Sequence, residues 1–200
     1  RLSVFPELDL QSLMLEQGPD TGRSRLGPLG ALPLKEAREK KRTGVVAPDD
    51  LATVLAAFNG GFMTTHGNYG VKADGVVWVT PHGSACTIAQ FPNDELLIRS
   101  WEELEPRQAD TLWFRQTPMC MVEEGELHKG LAVEENTYWG ATLDKDTIIR
   151  RSGMGLSADG KTLYVGIGEA MSAKSIATAL QFAGAYNVVQ LDVNFTYPKF

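Results

Sequence analysis

At 200 residues, with 43% hydrophobic and 22% charged residues, the chain can bury most of a core within one domain and is too apolar to be disordered. Its net charge of −6 argues against nucleic acid as a partner, because the one dense basic stretch, Lys35 to Arg42, is too short to track phosphates. No apolar run approaches the roughly 20 residues that span a bilayer, so one soluble domain over residues 1–200 is expected, with its natural start upstream of Arg1 and further chain after Phe200.

Leu10 to Glu16 has the length and apolar content of a first strand, and the glycines and prolines that follow, up to Pro33, make a loop. Leu34 to Arg42 holds good helix formers but only Leu34 and Ala37 as apolar members, which reads as a solvated connector. Asp49 and Asp50 suit the cap of a short turn before Thr53 to Phe58, a continuous apolar run that reads as a strand buried on both faces. Short strands are then predicted at Val76 to Val79, Thr87 to Phe91, Leu96 to Ser100, Leu112 to Gln116, Met119 to Val122, Tyr138 to Leu143, Ile148 to Leu156 and Thr162 to Ile167. Gly125 after Glu123-Glu124, and Gly160 after Ala158-Asp159, stand where hairpins need a positive φ, so Asp159 and Gly160 are turn residues.

Helical spacing is clearest near the C-terminus. Ser172 suits an N-cap, Ile176, Ala177, Leu180 and Ala183 share a face, and Gly184 stands where a left-handed C-terminal residue belongs. With Val188 to Val193 after it, the chain closes on strand, helix, strand, for which a parallel pair with a right-handed crossover is the natural topology. The fold class is α+β: a mixed, largely antiparallel sheet core with a packed C-terminal helix. Cys86 and Cys120 are too few for a disulfide framework and lack the paired spacing of a zinc site; two buried thiols are expected, a disulfide being the alternative that proximity decides.

Three groups of residues carry chemistry. Asn59-Gly60-Gly61-Phe62 lets backbone approach a ligand and point N–H groups at an anionic oxygen. His66, in His66-Gly67-Asn68-Tyr69-Gly70 shortly before Asp74-Gly75, is the best acid–base candidate of the three histidines. Gly166-Ile167-Gly168, with an acid at Asp192 ending the next strand, has the element order of a dinucleotide fingerprint, although Met171 occupies the third glycine position and no further strand–helix–strand units precede it. An acid in an apolar strand needs compensation, for which Arg150, Arg151 and Asn194 are available; Arg151 is equally suited to grip a phosphate.

Taken in order, Asn59-Gly60-Gly61-Phe62, Arg115-Gln116-x-Pro118 before the hairpin at Glu124-Gly125, Arg151-Ser152-Gly153-Met154-Gly155, the helix and Leu191-Asp192 resemble the phosphodiester glycosidase domain family over roughly Thr53 to Asn194. Family members read Asn-Gly-Gly-Phe-Phe at the first site and Arg-Thr-Ala-Ile-Gly at the third. They continue Leu-Asp as Gly-Gly-Gly-Ser, where this chain has Val193-Asn194-Phe195-Thr196, and their Asp-Gly after the preceding strand is replaced near Gly168-Glu169.

The resemblance implies hydrolysis at the anomeric carbon of a sugar joined to a phosphodiester, or of a related envelope glycan such as an exopolysaccharide. It implies Asp192 as nucleophile or base, Arg151 and the backbone of Asn59, Gly60 and Gly61 on the phosphate, His66 in proton transfer, and Gln116, Asn194 and Glu169 among the substrate contacts. A glycosidase normally uses two carboxyl groups, and Glu169 and Asp74 are the candidates for the second. No cofactor is called for, though a divalent cation held by Asp192 and neighbouring oxygens fits the chemistry. The family implies an extracellular or periplasmic location in the cell envelope. A glycan-binding or cell-wall-binding module without turnover is the alternative, favoured by the altered glycine motif.

Overall fold

Short, mostly buried strands joined by close turns build two antiparallel sheets in the computed structural model, which describes residues 52, 55–58, 60–62, 66–73, 75–133, 137–142, 144–195 and 198. The first sheet holds β1 (Val71–Ala73), β2 (Val76–Val79), β3 (Cys86–Gln90), β4 (Leu96–Ser100) and β5 (Trp113–Thr117), in the order β2-β1-β5-β3-β4. The second holds β6 (Val122–Glu123), β7 (Glu126–Leu127), β8 (Ile149–Leu156), β9 (Leu163–Met171) and β10 (Asn187–Val193), in the order β7-β6-β10-β8-β9. A short helix α1 (Trp101–Leu104) follows β4, and α2 (Ala173–Phe182) joins β9 to β10.

Alternation along the strands sorts the core into three layers. Between the sheets, Ile88, Ile98 and Trp113 of the first meet Met154, Leu156, Val189 and Leu191 of the second. Trp78, Phe91, Phe114 and the α1 residues Trp101 and Leu104 form a separate cluster with the β1–β2 hairpin. On the far side of the second sheet, Ile176, Ala177 and Leu180 of α2 bury against Val188, Met121 and Trp139. Gly153 and Gly166 sit under α2: a Cβ at Gly153 would come 2.9 Å from Leu180 Cδ1, and one at Gly166 would come 3.3 Å from Leu180 Cδ2. Absence of side chains there lets helix and sheet approach. Ser172 Oγ caps α2 by accepting from the Ser175 N–H, and Gly184 leaves the helix at φ +114°.

Several sequence expectations need correction. The disulfide alternative holds over free thiols: Cys86 and Cys120 are bonded, their Cα atoms 4.6 Å apart. Pairing Cys86 with Thr117 brings the turn after β5 back beside β3, a proximity the 34-residue separation conceals. β9 and β10 are not adjacent, because both pair antiparallel with β8, which lies between them. Strand, helix and strand thus form a split crossover, and Gly166 and Gly168 lie within an antiparallel edge strand rather than at a phosphate-binding turn, which removes the dinucleotide reading.

Thr53 to Phe58 does not form a strand over its described residues, and Leu55 is fully exposed; an apolar run without alternation does not by itself identify a strand. Tyr138 to Leu143 is replaced by a 3₁₀ turn, Thr137–Trp139, whose following carbonyls turn toward a side chain rather than a ladder. Met119 to Val122 shrinks to the two-residue β6. The readings for Leu10 to Glu16, Leu34 to Arg42, Asp49 and Asp50 lie outside the described residues.

Candidate active site between the sheets

Asp192 owes its aim to a break in register. β10 pairs Gln190 with Gly153 and then Val193 with Arg151, so Leu191 and Asp192 together oppose Ser152. That is the two-against-one count of a β-bulge, a device that re-aims a side chain at the end of a strand. Ser152 Oγ ties the bulge by donating to the Asp192 carbonyl at 2.7 Å, and Asp192 Oδ1 accepts the Val193 N–H at 2.8 Å. The next residue, Asn194, takes φ +77° and donates its N–H to the Arg150 carbonyl at 2.9 Å. Asparagine is among the few residues that tolerate this region without glycine, so the turn after Asp192 keeps a glycine-like backbone where the family motif has glycines. Asn194 Oδ1 is buried without a hydrogen-bond partner.

The cation that answers Asp192 is Arg115, in the middle of β5, and not Arg150 or Arg151. Arg115 alternates with Trp113 and Thr117 on the strand face that pairs with Ile88 and Cys86, which turns it toward the space between the sheets. Nη1 donates to the carbonyls of Tyr69 at 2.9 Å and Gly70 at 3.4 Å, and Nη2 donates to that of Phe62. A guanidinium has five N–H groups; Nε–H and one Nη2–H therefore keep no partner among the described residues. A carboxylate or phosphate is gripped by paired guanidinium N–H groups, and Gly61 lies against Nε and Nη2, where a Cβ would come 3.3 Å from both nitrogens. Burial pulls the Arg115 pKa down to about 10 against the opposing effects of Asp192 and Tyr69, so it stays cationic at neutral pH. Tyr69 is pushed up by burial, with Arg115 opposing, and remains a neutral phenol.

Arg151 has another duty. It is wholly buried, and Nε donates to Met171 O at 3.0 Å, Nη2 to Gly140 O at 3.0 Å and Thr147 O at 2.8 Å, and Nη1 to Trp139 O and to Gln190 Oε1 at 3.3 Å. All five donors are engaged. The side chain lies on the α2-covered face of β8, the face of Gly153, and fastens the 139–147 loop to the sheet. Gln116 is likewise saturated: Oε1 accepts the N–H groups of Gly70 and His82, and Nε2 donates to His82 O and Thr87 Oγ1. It fixes the loop that supplies Tyr69 and Gly70 to Arg115.

Glu169 forms a forked ion pair with Arg150, whose guanidinium also stacks 4.5 Å above the Phe195 ring. The bond to Arg150 holds the Glu169 carboxyl below its usual range, which suits a charged rim residue rather than a proton donor. His66 is exposed in a turn, and Gly60 has open space where its Cβ would be. Asn59 and Asp74 lie outside the described residues, among which no group of three or more His, Cys, Asp or Glu is placed to hold a metal ion. The structure thus joins the Gly61 and Asp192 motifs through Arg115. The sequence signal for Arg115 was a charged residue two positions after Trp113, on the same face of the predicted strand.

No family model matches the chain, and no curated protein matches it. Among the described residues no helix is long and apolar enough to cross a membrane. Among solved structures the chain is similar to the zebrafish N-acetylglucosamine-1-phosphodiester alpha-N-acetylglucosaminidase catalytic domain auto-inhibited by its pro-peptide, at a TM-score of 0.50 and 16% identity over 68% of this chain. It spans 50% of that chain, and what the two share at this identity is the fold alone.

Proposed function

We propose that this protein is a glycan-directed hydrolase of the phosphodiester glycosidase type, acting on a sugar whose anomeric carbon is joined to a phosphodiester. The observation that carries this reading is Arg115, whose Nε–H has no partner among the described residues and lies beside Gly61, in electrostatic contact with Asp192 at the bulge. Such a pair offers one partner to each charge of the transition state. Arg115 receives the phosphate as the anomeric C–O bond breaks and its electrons leave on the phosphate oxygen. Asp192 stabilises the oxocarbenium-like carbon and takes the proton of the attacking water, whose oxygen forms the new bond. Phosphate leaves without strong acid assistance, so the low pKa of Glu169 is no obstacle; Glu169 and Asn194 line the sugar side, the backbone from Asn59 to Gly61 supplies further contacts, and His66 exchanges protons with solvent. The Cys86–Cys120 disulfide favours an oxidising, non-cytosolic compartment.

A glycan-binding module on the same cleft is the second reading, favoured by the Phe195 ring, 73% exposed and backed by Arg150, where the family carries glycine. One experiment separates the two: a panel of sugar-1-phosphodiesters is incubated with wild type and Asp192→Asn, with and without divalent cation and chelator. The enzyme reading expects free sugar and phosphomonoester from wild type and a loss of at least about 100-fold in the variant, roughly 2.7 kcal/mol of barrier. Binding without turnover that Asp192→Asn abolishes would establish the module instead.

A further inference from the structure

Arg151 is a buried cation that no carboxylate among the described residues neutralises; burial alone shifts its pKa, to about 10. Its five donors end on carbonyl and amide oxygens, which satisfy the hydrogen bonds and leave the charge. An isolated buried charge is costly and is normally paired. Beside it lies a small cavity of about 10 Å³, room for the centre of one water-sized particle, bounded by Trp139, Arg151, Ser172, Ala173 and Lys174 with Leu131 as an apolar wall. Among the described residues no acidic residue lines it.

Three further electropositive features belong to residues that line this cavity. Trp139 is 1% exposed, yet its indole Nε1–H has no hydrogen-bond partner. α2, ten residues long, begins at the cavity, so the N–H groups of its first turn and the positive end of its dipole face that region. Ser172 caps only the Ser175 N–H, leaving those of Ala173 and Lys174 for another acceptor, and the Lys174 side chain adds a second positive charge. A neutral water would satisfy the indole but would leave the guanidinium without a counter-charge among the described residues.

We propose that this cavity binds one small monovalent anion of halide size, held by the Trp139 indole N–H and the first turn of α2 and balanced by Arg151. The site is separate from the Asp192 cleft and does not depend on its chemistry. It is linked to it structurally, because Arg151 holds Gly140, and a Cβ at Gly140 would come 2.8 Å from Val193, the residue after Asp192.

The test uses the intact chain with chloride and bromide as probes, exchanged against gluconate at constant ionic strength. Melting should rise saturably by about 3–6 °C once halide exceeds its dissociation constant about tenfold, and a bromide crystal should show an anomalous peak within hydrogen-bonding distance of Trp139 Nε1. Trp139→Phe, which removes the N–H and keeps a ring, should abolish the response, and Lys174→Gln, outside the fold's core, should weaken halide binding several-fold. A melting temperature indifferent to the anion, an undiminished response in Trp139→Phe, or a cavity holding only water in the bromide crystal overturns the proposal. Should Trp139→Phe fail to fold, the bromide peak and the Lys174→Gln titration decide it.

Discussion

Replacing Arg151 with Lys separates a structural arginine from a ligand-binding one, because the substitution keeps the charge and removes the planar five-donor geometry. Lysine has three donors on a tetrahedral nitrogen. At least two of the five acceptors, drawn from the carbonyls of Trp139, Gly140, Thr147 and Met171 and the Gln190 amide, would lose their partner in a region where Arg151 is fully buried. Each unsatisfied buried acceptor costs about 1–3 kcal/mol, giving about 2–6 kcal/mol for two. That is a large part of the roughly 5–15 kcal/mol that stabilises a domain. Urea unfolding followed by tryptophan fluorescence, at fixed chloride, should show the midpoint falling with little change in slope. A loss below about 1 kcal/mol together with vanished phosphodiester binding would refute the structural assignment and return Arg151 to the ligand site.

Gly61→Ala places a methyl 3.3 Å from Nε and Nη2 of Arg115 at a position with no left-handed backbone; phosphodiester affinity should fall about tenfold or more by calorimetry, with stability within about 1 kcal/mol, and unchanged affinity would clear Arg115 of a role. Removing the Cys86–Cys120 bridge as the double serine variant should cost about 3–4 kcal/mol, the loop-entropy value for a separation of 34 residues; a shift below about 1 kcal/mol would mean that the thiols are free in solution. Affinity for a singly charged dialkyl phosphate should stay level through neutrality and decline as pH rises past about 10, because Arg115 binds the anion only while protonated and burial has lowered its pKa to that region. A decline centred between about pH 5 and 8 would point to a histidine instead.

Much of this fold is legible where local chemistry and tertiary structure agree. The strand at Leu96 to Ser100 matches β4, Ser172 caps α2, Gly184 ends it, and the turns at Gly125 and Gly160 take positive φ. Local reasoning fails where a distant side chain sets the backbone. Tyr138 to Leu143 has strand composition, but Arg151, 11 residues beyond Gly140, collects the carbonyls of Trp139 and Gly140 and bends the segment away from any ladder. The choice between arginines was hidden for the same reason. Arg115 and Arg151 both sit in strands, and only the carbonyls that Phe62, Tyr69, Gly140 and Thr147 bring to them determine that the first keeps an N–H without a partner among the described residues while the second does not. The bulge at Leu191 and Asp192 left no local mark except Asn194, whose tolerance of positive φ is visible in hindsight.

Asn194 also shows how backbone and chemistry separate at this cleft. A glycine after the acid would serve two purposes at once, allowing the left-handed turn and leaving room for a substrate against the chain. Asn194 meets the first, at φ +77°, and changes the second by placing a buried amide oxygen without a partner beside Asp192. Phe195 lies exposed on the rim against Arg150, while Val193 turns inward to pack on Gly140. The bulge, the carboxylate and its arginine therefore persist while the groups around them differ; under the proposed function, this chain keeps the phosphate end of recognition and alters the sugar end. An acceptor beside a carboxylate favours a ligand that brings its own donors, as the hydroxyl groups of the proposed sugar substrate do.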